Sequence, residues 1–187
     1  MWEILDNVIE PYGEQGKLHR WYVLHSNCGS MKDPMIVIGI NPSGGTVQSN
    51  IKGEPDKFSP TAMRLHRIAE NAGKHSIILL NISPVVDKTV PGLLTRIDEI
   101  KKARKANLDH ISSILGRYNV PEDVPVLLCF GNAYSKVIKE ETMRSCLSEI
   151  LEHIPSKNLK CLGLTRKGNP KHPLFAGTSE LIDYPSE

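Results

Sequence analysis

Met35-Ile-Val-Ile-Gly-Ile40 decides the fold. The run is apolar without alternation and rich in β-branched residues, as in a strand covered on both faces. Ser76-Ile-Ile-Leu-Leu-Asn81 and Val126-Leu-Leu-Cys-Phe130 have the same character, and Leu159-Lys-Cys-Leu-Gly-Leu164 is a weaker fourth example. Upstream, Arg20-Trp-Tyr-Val-Leu-His25 reads as a first strand at a sheet edge. Helical patterns fit between these runs. Ser59-Pro60 supplies an N-cap and a first-turn proline. Ala62, Leu65, Ile68, Ala69 and Ala72 then recur at helical spacing, and Gly73 stands where a terminating glycine belongs. A second helix is predicted over 97–118 and a third over 134–154, stopped by Pro155. Buried strands alternating with amphipathic helices predict one α/β domain over 1–187, with its core at about 20–184. The expected architecture is a three-layer α/β/α sandwich whose central sheet is mainly parallel, with about four or five strands.

The composition narrows the function. The chain has 187 residues, 40% of them apolar, which suits one compact core. Its 23 basic and 21 acidic residues leave a formal net charge of +2. That balance argues against a protein that coats nucleic acid, but permits a local basic patch. A membrane-spanning helix needs roughly 20 apolar residues, and the apolar run 76–86 is interrupted by Asn81 and Ser83. No membrane partner is expected. The N-terminal segment is acidic and lacks the basic start of a signal peptide. Cys28, Cys129, Cys146 and Cys161 show no C-x-x-C spacing, so no metal site is expected and a reduced, cytoplasmic protein is. Nothing in the sequence specifies an oligomeric state.

In a parallel α/β sheet, ligands bind beyond the carboxyl ends of the strands. Four segments lie there. Gly39-Ile-Asn-Pro-Ser-Gly-Gly45 follows the first buried strand, and it is either a plain turn or a shaped binding loop presenting Asn41. It matches neither a Walker loop nor a dinucleotide fingerprint, and no cofactor is expected. Asn81 ends the next strand, either as a turn cap or as an amide able to pair with a nucleobase edge. Phe130-Gly131-Asn132 precedes a helix, where backbone N–H groups can meet an anion. Leu164 to Leu174 crowds Arg166, Lys167, Lys171 and His172 between stiffening prolines, a set suited to phosphate. The basic residues Arg96, Lys101, Lys102, Arg104 and Lys105 read as a solvated helix face with i,i+4 pairs. Glu54, Asp56 and Asp87 are candidate general bases in loops.

These segments carry two resemblances. The chain resembles a bacterial and phage domain-of-unknown-function family, number 1643, through Asn41-Pro42-Ser43, the strand from Ile77 to Asn81, and the motif from Leu162 to Leu174. More distantly it is similar to the uracil-DNA glycosylase superfamily, through Gly39-Ile-Asn-Pro42, Leu79-Leu-Asn81, Leu127-Leu-Cys-Phe-Gly131 and Lys171-His-Pro-Leu174. The second resemblance implies a uracil-DNA-glycosylase-like fold. It implies that Asn41 holds the attacking water and that His172 donates to a base carbonyl. Gly39, Pro42, Ser43, Gly44, Asn81, Gly131 and Asn132 would then bind the base, and Arg166, Lys167 and Lys171 the phosphates. The implied partner is DNA or a nucleotide-like ligand, and the implied chemistry is hydrolysis of an N-glycosidic bond. Asn41 stands where the most active branch has aspartate, and Leu174 replaces a serine. A non-catalytic nucleic-acid, nucleotide or protein-binding module is therefore the alternative.

Overall fold

A computed structural model describes residues 1–12, 17–42 and 58–185. Ser43, Gly44, Glu54 and Asp56 lie outside these described residues. Among the described residues, seven strands form one sheet in the order β1-β2-β4-β3-β5-β6-β7. They are β1 (Glu3–Tyr12), β2 (Lys17–Ser26), β3 (Pro34–Gly39), β4 (Ser76–Asn81), β5 (Val126–Leu128), β6 (Leu159–Cys161) and β7 (Ile182–Asp183). The described helices are α1 (Pro60–Asn71), α2 (Val90–Leu94), α3 (Ile97–Arg117), α4 (Tyr134–Val137) and α5 (Glu141–His153).

The sheet is mixed rather than mainly parallel. The four apolar runs form the parallel centre β4-β3-β5-β6. Antiparallel β1 and β2 flank it on one side and antiparallel β7 on the other. The 20–25 run is accordingly not an edge: β1 pairs outside it along nearly its whole length. That strand escapes a reading based on apolar runs because Glu3, Asp6, Asn7 and Glu10 interrupt its apolar residues. A hairpin edge needs only one dry face.

Local chemistry explains the helix ends. The Ser59 hydroxyl accepts from the Ala62 N–H at 3.1 Å and Pro60 opens α1. Gly73, at φ +67°, follows its C-cap. The expected single helix over 134–154 is two helices with a break at 138–140. Arg144 donates to the carbonyls of Ile138 and Lys139 at 2.7 and 3.1 Å, satisfying groups that a continuous helix would bond internally.

Period-two alternation divides the core between two faces. Ile36, Ile38, Ile78, Leu80, Val126 and Leu128 pack under α3 and α5. Met35, Val37, Ile77 and Leu127 pack under Leu65, Ile68 and Ala69 of α1. From β3 the chain moves one way to β4 over α1, then back past β3 to β5 over α3. The reversal leaves a crevice beyond the carboxyl ends of β3 and β5.

Candidate functional site

That crevice holds two adjoining cavities of about 260 and 670 Å³, which share Phe130, Ala133 and His172 in their walls. The first is lined by Gly39, Asn41, Asn81 and His172, so residues from three separate strand ends share one cavity. The second is lined by Gly131, Asn132, Arg166, Lys167, Lys171 and His172. Pro42 is buried beside Asn41.

Register places Asn81. The parallel β3–β4 ladder sets Gly39 opposite Asn81. A Cβ on Gly39 would come within 2.8 Å of Asn81 Oδ1, so only glycine leaves room for the amide. Asn81 is 4% exposed, and its Nδ2 has no hydrogen-bond partner among the described residues. Burying an amide N–H unpaired costs about 1–3 kcal/mol. Native proteins tolerate that where a ligand supplies the missing acceptor.

Asn41 is more committed. Its Nδ2 donates to the Asp87 carbonyl at 2.9 Å and to the Pro42 carbonyl at 3.1 Å, tying the loop after β3 to the segment after β4. Asp87 is occupied too: its carboxylate accepts from the Thr89 N–H at 2.9 Å and lies 3.7 Å from Arg96. Among the described lining residues of either cavity, none is acidic.

His172 begins a short 3₁₀ turn (Pro173–Phe175), and its Nδ1 accepts from the Leu174 N–H at 3.3 Å. Nδ1 is then the unprotonated nitrogen of the neutral ring, and Nε2 carries the proton and can donate. Burial lowers the pKa of His172, favouring this neutral form. Gly131, at φ +66°, allows the close approach: a Cβ there would meet His172 Cβ at 3.0 Å. The cationic loop is built as a tight return. Thr165 N–H bonds Asn169 O at 2.8 Å and Lys171 N–H bonds Gly163 O at 2.9 Å. Asn169 Nδ2 reaches Ser135 Oγ of α4 at 2.6 Å. Arg166 and Lys167 are exposed, and Phe175 beside them is 80% exposed.

Reasoning from strand ends missed two residues of the first cavity, Arg20 and His25 of β2. His25 Nδ1 lies 2.7 Å from His66 Nε2 of α1. Burial, the second imidazole and Arg20 push the pKa of His25 down to about 3; burial pushes that of His66 down to about 4. Phe58 packs on both rings, with centroids 5.4 and 4.5 Å away. Trp21 and Tyr22 belong to the core on the α3 side, away from the cleft. Of the basic residues on α3, Arg104 pairs with Glu149 of α5, and Lys105 with Asp109 at 2.6 Å. Among the described residues, no group of three or more His, Cys, Asp or Glu side chains is placed to hold a metal ion. Nor is any described helix long and apolar enough to cross a membrane.

Together these features define an α/β protein with a cleft at the strand carboxyl ends, walled by amide, imidazole and basic groups. Residues 20–174 match the family described as "Protein of unknown function (DUF1643)", and the chain belongs to that family. No curated protein and no solved structure matches it.

Proposed function

We propose that the cleft recognises a nucleobase or nucleotide of nucleic acid. The observation that carries this reading is the buried, unpartnered amide of Asn81 in the cavity wall. An amide offers one donor and one acceptor side by side, the pattern needed to pair with a base edge. The exposed Arg166 and Lys167, with Lys171, supply charge for phosphate at the adjoining cavity. Gly39, Pro42 and Gly131 keep the backbone close to the ligand, and Asn132 stands at the cavity rim.

In the catalytic form of this reading, the fold is uracil-DNA-glycosylase-like and the reaction is hydrolysis of the base–sugar bond. Water adds to the sugar carbon, the carbon–nitrogen bond breaks with its electron pair leaving on the base, and the water proton ends on the base or in solvent. His172 Nε2–H would donate to a base carbonyl as charge builds there. Asn41 would hold the water. One observation favours a non-catalytic module instead. The amide N–H₂ of Asn41 is spent on two backbone carbonyls, and an amide is no base for water.

Oligonucleotides carrying uracil, hydroxymethyluracil or only ordinary bases, single-stranded and duplex, test both forms. Binding that falls about tenfold or more in Asn81→Ala supports base recognition. Abasic sites that vanish in Asn41→Ala and His172→Ala establish catalysis, whereas binding without base release establishes the module. Neither binding nor release with any oligonucleotide or nucleotide overturns the reading.

A further inference from the structure

Arg20 lies in the first cavity, yet an unbroken strand would have turned it into the opposite face. Val8 of β1 pairs with Tyr22 of β2, but Ile9 pairs with Arg20, so Trp21 is an extra residue in β2. This bulge sends Trp21 and Tyr22 to the same side. Trp21, Tyr22 and Leu24 join the α3-side core, while Arg20, Val23 and His25 line the cavity. Bulges that re-aim one side chain recur beside functional sites.

The side chain so placed is anomalous. Arg20 is 6% exposed, and among the described residues its Nε has no hydrogen-bond partner and no acid pairs with it. Burial lowers the pKa of its guanidinium to about 10. A buried cation without a counter-charge is costly, the described residues supply none, and a strand irregularity places Arg20 there. The rest of the wall offers no relief: the described lining is otherwise apolar, amide, hydroxyl or imidazole.

We infer that Arg20 is the counter-charge for a terminal phosphate of the bound ligand, which is therefore a nucleoside monophosphate or a phosphorylated strand end. The nucleoside part of this statement rests on the base-recognition reading of Asn81; the anion part rests on Arg20 itself. A planar guanidinium grips a phosphomonoester through paired N–H donors. An internal phosphodiester continues into chain on both sides and suits the exposed Arg166 and Lys167. A guanidinium buried within the cavity suits an anion that ends there.

The test compares thermal stabilisation and affinity at constant ionic strength. The ligands are inorganic phosphate, acetate, a panel of nucleosides and their 5′- and 3′-monophosphates. Short oligonucleotides with and without a terminal phosphate separate monomer from strand end. Wild type should bind a monophosphate on the order of tenfold or more tighter than its nucleoside. Arg20→Met should bring that ratio near one, while its ligand-free Tm holds or rises because an unpaired buried charge is gone. An arginine with only a structural role would lose Tm instead. If Arg20→Met does not fold, the wild-type ratio and its decrease in Arg20→Lys still decide.

Equal affinity for nucleoside and monophosphate, or acetate acting as well as phosphate, overturns the inference. Nucleoside binding that depends on Asn81 but gains nothing from phosphate does so too, and leaves base recognition standing. Arg20-dependent phosphate binding with no response to any nucleoside keeps the phosphate site and removes base recognition.

Discussion

His19 and Arg20 are neighbours in β2, and the two faces of the sheet treat their polar groups differently. His19 turns toward α3, where its Nε2 lies 2.8 Å from Glu99 Oε1. Glu99, only 8% exposed, also receives the Arg96 guanidinium, whose Nε reaches Oε2 at 2.8 Å. Burial pushes the Glu99 carboxyl up, but the hydrogen bonds from Arg96 and His19 outweigh it and hold its pKa below the usual value. Arg20 turns the other way and meets no described acid. Among the described residues, a buried charge on the closed face is therefore matched by an acid, and the one on the cleft face is not. Stability is built on the first face, and the second keeps groups in a state that stability alone does not favour.

Core truncation gives the largest contrast. Ile78→Ala, at a fully buried position of β4 on the closed face, should cost about 3–5 kcal/mol in denaturant unfolding. Leu65→Ala, whose side chain lines the cavity, should cost about 2 kcal/mol, because its loss enlarges a space already present. Equal costs would mean that the cavity wall is packed like the core.

Next comes Glu99→Ala. It removes the carboxylate that Arg96 and His19 share and should cost about 3 kcal/mol, whereas Arg20→Met should cost nothing. A similar loss at both positions would erase the distinction between the faces. Gly131→Ala is smaller, about 1–2 kcal/mol, from its positive φ and the crowding of His172. It should weaken ligand binding more than its effect on stability suggests.

Acid separates the faces by window. His25 and His66 have native pKa values of about 3 and 4, below the 6.5 of the unfolded chain. As pH falls below 6.5 the unfolded state takes up protons first. The cleft face is thus at full stability above that pH and loses it progressively toward the native values. The Glu99 contribution is present above its unfolded value near 4.5 and is lost only as pH falls below it. Tm between pH 7 and 5 should therefore decline less in His66→Gln than in wild type, whereas Glu99→Gln should lower Tm at neutral pH and flatten the decline only below about pH 4.5. The smallest effect is the double variant Arg166→Ala, Lys171→Ala. It should leave Tm within about 1 °C and reduce the salt dependence of nucleic-acid binding.

Much of this was legible in the residues. The runs at 35–40 and 76–81 mark β3 and β4 because strands dry on both faces must be apolar throughout. Ser59, Pro60 and Gly73 mark α1 because caps act within one turn. Asn81 and His172 were legible as strand-end residues, and they follow β4 and β6, which belong to the same parallel centre β4-β3-β5-β6. The break at 138–140 was not, because Ile138 continues the apolar spacing and only the Arg144 guanidinium reveals where the carbonyls go. Nor was β1, where Glu3, Asp6, Asn7 and Glu10 break up the apolar residues.

By itself, the sequence determined the central buried strands and the capped helix after Ser59, and that polar groups gather where those strands end. Those properties depend on periodicity and caps, which act over a few residues. Only the tertiary structure decided the direction of strand pairing, which depends on the partner a strand finds. It also decided the register that sets Asn81 over Gly39, and the extra residue in β2 that moves Arg20 from the core to the cleft. A one-residue change of register exchanges the two faces of a strand, and composition carries no record of it.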